Sequence, residues 1–167
     1  MISVETNTFN KNEMRTRKVD TVEYVSMLRE LTEQGKEVGL VISGNSMSPF
    51  LIHERDYICF KKPDRELRRG DMVFYQRKTG RFVMHRIWKV KKDGYYIVGD
   101  AQRAIEGPLR REQIFAVVTK ARRDDKWIGP GDFWWEFFEK VWIRIVPFRG
   151  LAGKVYRVMK FFGFCRK

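Results

Sequence analysis

The chain has 167 residues, 43% of them hydrophobic, enough for one compact domain with an appendage. Lys plus Arg number 34 against 21 for Asp plus Glu, so the formal charge of +13 calls for an anionic partner or surface, with phospholipid and nucleic acid both qualifying. The two cysteines, Cys59 and Cys165, stand far apart in no metal-like spacing, which argues against a disulfide framework or a zinc site and suits a reducing, cytoplasmic compartment. No metal or cofactor is expected.

Residues 1–18 are rich in Asn, Thr and charge and read as a disordered polar arm. They hold no apolar core of a secretory leader, and no stretch of about 18 uncharged apolar residues follows to make a conventional membrane span. From Asp20 the pattern changes. Val19, Val22, Val25, Leu28 and Leu31 recur at near-helical spacing, Asp20 and Glu23 form a capping box, and Gly35 is placed to end the helix. One amphipathic helix is predicted, laid over a sheet.

An apolar run at 38–42 leads into Gly44-Asn45-Ser46-Met47-Ser48-Pro49. A serine among small and polar residues, just past a strand and stopped by proline, can hold its hydroxyl exposed on a tight turn, where a nucleophile would stand. The bland alternative is an ordinary turn serine. A serine hydroxyl needs a nearby base to take its proton, and the chain has two histidines, His53 and His85. The first is close in sequence; the second lies in Arg81-Phe82-Val83-Met84-His85-Arg86-Ile87-Trp88, on a predicted strand, and the pattern selects it. Histidine, with an unperturbed pKa of about 6.5, can carry a proton both ways near neutrality.

Short runs rich in Val, Ile, Phe and Tyr at 38–42, 57–60, 72–76, 82–90, 95–98 and 114–120 are separated by Gly, Pro and Asp, which predicts a mainly β domain over residues 19–123. Lys92-Asp93-Gly94 supplies a hairpin turn, so His85 and Gly99-Asp100 should lie on neighbouring antiparallel strands. On its own, Asp100 reads as a turn carboxylate, as does Asp71 after Arg68-Arg69-Gly70. Asp124-Asp125-Lys126 and Gly129-Pro130-Gly131 then read as a break. Beyond it, residues 124–167 form an aromatic and basic helical extension. Phe133, Trp134, Phe137, Phe138, Val141, Trp142 and Ile145 are predicted on one helical face, and a second basic helix follows Pro147 to Gly150. Such helices suit an anionic membrane surface, and equally suit packing on the β domain.

Taken in order, Gly44-x-Ser46-Met47-x-Pro49, Arg69-Gly70-Asp71-Met72-Val73, His85-Arg86-Ile87 and Gly99-Asp100 resemble the motif set of type I signal peptidases, whose LexA-type self-cleaving relatives share the first two boxes. The resemblance covers residues 44–100. Most bacterial members carry a lysine base where His85 stands, so the chain is similar to the Ser-His branch of archaea and the endoplasmic reticulum. It implies a signal-peptidase/LexA-like β domain and a serine endopeptidase that cuts a leader or signal segment of a peptide or protein substrate. Ser46 is then the nucleophile, His85 the base, and a third, acidic residue the orienter of the imidazole. In that branch an Asp six residues after the Gly-Asp box serves the catalytic group; Glu106 stands there, ahead of Asp100 as candidate. The oxyanion hole is expected at the backbone N–H of Ser46, since Gly44 has no side chain where many relatives place a hydroxyl.

Two other readings compete. A LexA-type regulator cleaves itself at an Ala-Gly or Cys-Gly bond, and residues 1–45 contain neither Ala nor Cys. A non-catalytic basic module binding membrane or nucleic acid has only charge in its favour, with no nucleic-acid recognition motif, so no specific nucleic acid is expected.

Overall fold

The computed structural model describes residues 21–149. The predicted polar arm, the capping box at Asp20, the second basic helix and Cys165 lie outside these residues.

One antiparallel sheet carries the fold. Its strands are β1 (Val38–Val41), β2 (Tyr57–Lys61), β3 (Met72–Gln76), β4 (Phe82–Lys91), β5 (Gly94–Val98), β6 (Glu106–Leu109), β7 (Ile114–Arg123) and β8 (Lys126–Ile128), in the spatial order β1-β2-β7-β3-β4-β5-β6 with β8 paired to β7. The mainly β architecture expected from the strand runs is the one observed.

Alternation along the strands divides two cores between the two faces. β3 is buried on both: Met72 and Phe74 join a first cluster with Leu40, Ile58, Phe60, Phe50 and Met47, while Val73 and Tyr75 join a second with Ile87, Ile97 and Val117. Helix α1 (Thr21–Glu33) covers the first cluster through Val25, Leu28 and the partly buried Leu31 of the predicted stripe, with Tyr24, which lies outside it, packed beside them. Each such large side chain taken fully out of water contributes about 1.5–3 kcal/mol before chain entropy is counted.

Two strands escaped the sequence reading. Asp124 and Asp125, read there as a break, both take left-handed backbone at φ 46° and 60° and make the two-residue turn of the β7–β8 hairpin, with Arg123 opposite Lys126. β6 contains Gly107 and Pro108 and has no alternation to read. The β4–β5 turn is shifted by one residue from the expected Asp-Gly pair: Lys91 pairs with Gly94, so Lys92 and Asp93 form the loop.

The extension folds back on the sheet. A short helical turn, α2 (Phe133–Glu136), passes into a π-helical stretch at Phe137–Trp142 and then a 3₁₀ turn at Val146–Phe148. π winding advances the face differently from the 3.6-residue repeat assumed for the predicted stripe. Trp135, Phe138, Ile143 and Val146 are the buried apolar positions, while Phe133, Trp134 and Val141 of the predicted face are exposed.

A buried ion pair joins the two halves. Arg86 on β4 and Asp100 after β5 are 1% and 0% exposed; the guanidinium bonds both carboxylate oxygens at 3.0–3.4 Å, donates to the Gly70 carbonyl at 2.8 Å and lies over the Phe50 ring. Removing one partner of such a pair strands the other charge in a dry interior. Arg86→Gln is expected to destabilise the fold by roughly 3–5 kcal/mol, measured by urea denaturation, and a loss below 1 kcal/mol would show that water reaches this pair.

Candidate active site

The loop after β1 is built to present Ser46. Gly44 takes a φ of +95°, open only to glycine at low cost, and turns the chain sharply. Ser48 N–H then donates to Asn45 O at 3.2 Å and Leu51 N–H to Met47 O at 2.9 Å, winding residues 45–51 into a compact turn anchored by buried Met47, Phe50 and Leu51. The far end is closed by Asp56, whose carboxylate accepts from the Ile52 N–H and Arg55.

The turn is held against the fourth sequence box. Ala101 N–H donates to the Ser46 carbonyl at 2.9 Å, and a Cβ at Gly99 would stand 2.5 Å from that same oxygen. Only glycine at position 99 allows this approach. Ser46 lines an apolar cavity of about 210 Å³ with Leu40, Ile42, Met47, Phe74, Phe82 and Met84.

His85 sits in β4 opposite Val73 and is 1% exposed. Strand alternation sends its side chain to the face of Val83 and Ile87, beside the second cluster, and Val83 and Met84 both line the cavity that Ser46 lines. No hydrogen bond joins Ser46 to His85 among the described residues.

Around the imidazole, Tyr75 Oη lies 3.2 Å and Glu106 Oε1 3.6 Å from Nδ1. The predicted acid is therefore beside the predicted base. Both contacts engage Nδ1, which leaves Nε2 as the atom to accept a proton. Glu106 is itself held by a two-pronged pair with Arg77, one bond being Nε to Oε2 at 2.8 Å. Burial pushes the His85 pKa from 6.5 down to about 4; the Glu106 carboxylate opposes this, and Arg77 reinforces it. The Tyr75 phenol is driven upward, first by burial and then by Glu106, so it remains a neutral donor. Glu106 is lowered despite burial, through its bonds from Arg77 and Tyr75.

Asp100, the other candidate acid, is separated from His85 by its role in the buried pair with Arg86, with Arg149 3.9 Å away. Asp71 likewise serves structure: it binds Arg65 through both oxygens and accepts from the Arg68 N–H. His53 is close to the nucleophile turn in another way. Its Nδ1 accepts from the Gly44 N–H at 3.0 Å, which places the ring proton on Nε2, 3.4 Å from Glu54. That bond occupies the Gly44 amide.

Tyr75 and Arg77 were not singled out from the sequence. The available signal was register: with Val73 opposite His85, Tyr75 lies on the same face two residues along the neighbouring strand. No curated protein and no solved structure matches the chain. The sequence profile of the Peptidase S24-like family, serine peptidases of the LexA and signal peptidase superfamily, matches residues 8–118. With well over half its length covered by that match and its Ser46 turn, His85 strand and Gly99-Asp100 turn in place, the chain belongs to the Peptidase S24-like family.

Proposed function

We propose that the protein is a serine endopeptidase of signal-peptidase type, cutting an extended leader or signal segment of another polypeptide with Ser46 as nucleophile and His85 as base. The observation that carries this reading is the geometry of the sheet beside Ser46. β1 is paired only with β2, and β5 pairs with β4 only from Arg86 onward, so the 82–85 half of β4 also has a free edge among the described residues. Both free edges border the cavity that Ser46 lines. An extended peptide laid there would gain main-chain hydrogen bonds along a strand edge and drop apolar side chains into the cavity. The absence of Ala and Cys from residues 1–45 weighs against a self-cleaving regulator.

In the reaction, substrate binding brings the Ser46 hydroxyl to His85 Nε2, a contact absent among the described residues, and Oγ attacks the scissile carbonyl carbon as its proton passes to Nε2. The tetrahedral oxyanion takes a hydrogen bond from the Ser46 N–H. Collapse breaks the C–N bond, with the proton returned from His85 to the leaving amine. Water, deprotonated in the same way, then releases the acyl group. Glu106 steadies the imidazolium through Nδ1, with Tyr75 fixing the ring. Ser46→Ala is expected to abolish cleavage of a peptide library while changing stability by less than about 1 kcal/mol. Cleavage at the wild-type rate would remove Ser46 from the mechanism.

The pH dependence follows from the sign of the His85 displacement. A base must be unprotonated, so kcat/KM should hold down to mildly acidic pH and fall as pH drops through about 4, well below the ordinary histidine range. Arg77→Gln removes a cation that disfavours the imidazolium and frees Glu106, so it should move this acid limb upward. The same displacement affects folding. Between about 6.5 and about 4 the unfolded chain binds the proton and the native chain does not, so this contribution to stability is full above pH 6.5 and is lost as pH falls through the native value. An acid limb near pH 6.5, unmoved by Arg77→Gln, would contradict the assignment.

The reading includes an anionic membrane surface as the place of action. Phe133, Trp134, Val141 and Phe148 are 48–72% exposed along one segment that also exposes Lys140 and Arg144. No helix among the described residues is long and apolar enough to cross a membrane. Aromatic groups flanked by cations suit an interfacial position. Replacing Phe133 and Trp134 together by Ser should weaken sedimentation with phosphatidylglycerol vesicles at least tenfold, about 1.4 kcal/mol, with no loss of folding; unchanged sedimentation would exclude this patch as the contact.

A further inference from the structure

The extension at residues 133–149 lies beyond the family match, which ends at residue 118, yet it touches three of the motif boxes. At the first, Trp135 and Phe138 pack on Phe50, four residues after Ser46, with ring centroids 6.0 and 4.8 Å apart. At the second, Glu139 accepts from Arg68 and from the Trp135 indole, and a Cβ on Gly70 would come 2.6 Å from the Glu139 carbonyl. At the fourth, the Trp142 indole N–H donates to the Asp100 carbonyl at 3.0 Å, and Arg149 Nη1 donates to the Gly99 and Gln102 carbonyls at 2.8 and 2.9 Å. Arg149 Nη2 returns to the Trp142 carbonyl at 3.2 Å, locking the two donors together.

These last contacts converge on the 99–102 turn that holds Ser46. Ala101 N–H binds the Ser46 carbonyl, and its neighbours on either side have their carbonyls fixed by the extension. We propose that residues 133–149 form a clasp that sets the position of the nucleophile turn, with Trp142 and Arg149 as positioning residues acting through the 99–102 turn. The proposal rests on the reading of Ser46 as nucleophile. Neither side chain touches the reacting atoms, and the effect is geometric. A carbonyl cage of this kind fixes the turn that bonds the nucleophile's own backbone, and a displacement of about 1 Å at a reacting group can cost on the order of 100-fold in rate.

The test uses two conservative variants of the full chain. Trp142→Phe keeps the ring and removes only the indole N–H; Arg149→Lys keeps a cation near Asp100 and removes the fork that reaches several carbonyls. Each should lower kcat by roughly 10- to 100-fold with KM nearly unchanged and with the Tm close to wild type for Trp142→Phe. Amide hydrogen exchange at Ala101, the donor to Ser46, should quicken in both. A purely structural role would instead lower Tm and leave kcat per folded molecule intact. Wild-type kcat in both variants, with Ser46→Ala inactive, overturns the clasp and leaves the peptidase reading standing. Cleavage by Ser46→Ala equal to wild type overturns the peptidase reading itself. Unchanged exchange at Ala101 overturns the clasp whatever the activity.

Discussion

The fold depends on one charged group kept out of water. Arg86 reaches from the middle of β4 to the carboxylate that follows β5, to the carbonyl of Gly70 and to the face of Phe50. Those contacts come from separate loops that no strand pairing would otherwise bring to one point. A hydrophobic residue at this position would fill the volume without fixing directions, because apolar packing is indifferent to small rotations. The guanidinium, with donors in a rigid plane, is not. The Ser46 turn inherits its placement from this point: Asp100 is held by Arg86, Ala101 follows Asp100, and Ala101 holds Ser46.

The His85 imidazole is shaped by opposing influences. Burial favours a neutral imidazole, Glu106 favours a charged one, and Arg77 ties Glu106 down. Burial prevails in the free chain. The imidazole is thus held neutral near neutral pH. Tyr75, a neutral phenol between the two, steadies the ring without altering the charge count.

Much of this architecture was legible because it is written in periodicity and in local motifs. The strands β1 to β5 and β7 announce themselves by β-branched and aromatic runs, and α1 by its apolar stripe. Ser46, His85 and Glu106 were proposed as site residues from the order and spacing of their boxes, and the fold sets Glu106 3.6 Å from His85. What stayed hidden was of two kinds. β6 and β8 have compositions that resemble loops, and only pairing with β5 and β7 makes them strands. The roles of Tyr75, Arg77, Trp142 and Arg149 arise from register and from long-range return of the chain, across separations of up to 50 residues. The extension also buries a face other than its predicted stripe, with Phe133 and Trp134 outward and Trp135 inward.

The half-paired state of β4 carries a consequence for what such an enzyme encounters in a cell. A strand edge binds main chain, and main chain is common to every polypeptide, so under the proposed function selection at this groove would be first by conformation and only then by side chain. A folded protein has already committed its backbone donors and acceptors to itself and presents nothing to this edge. A newly made or still unstructured segment has not. On the proposed reading the groove would act as a clock as much as a recognition surface: the opportunity to cut a given chain would close when that chain folds.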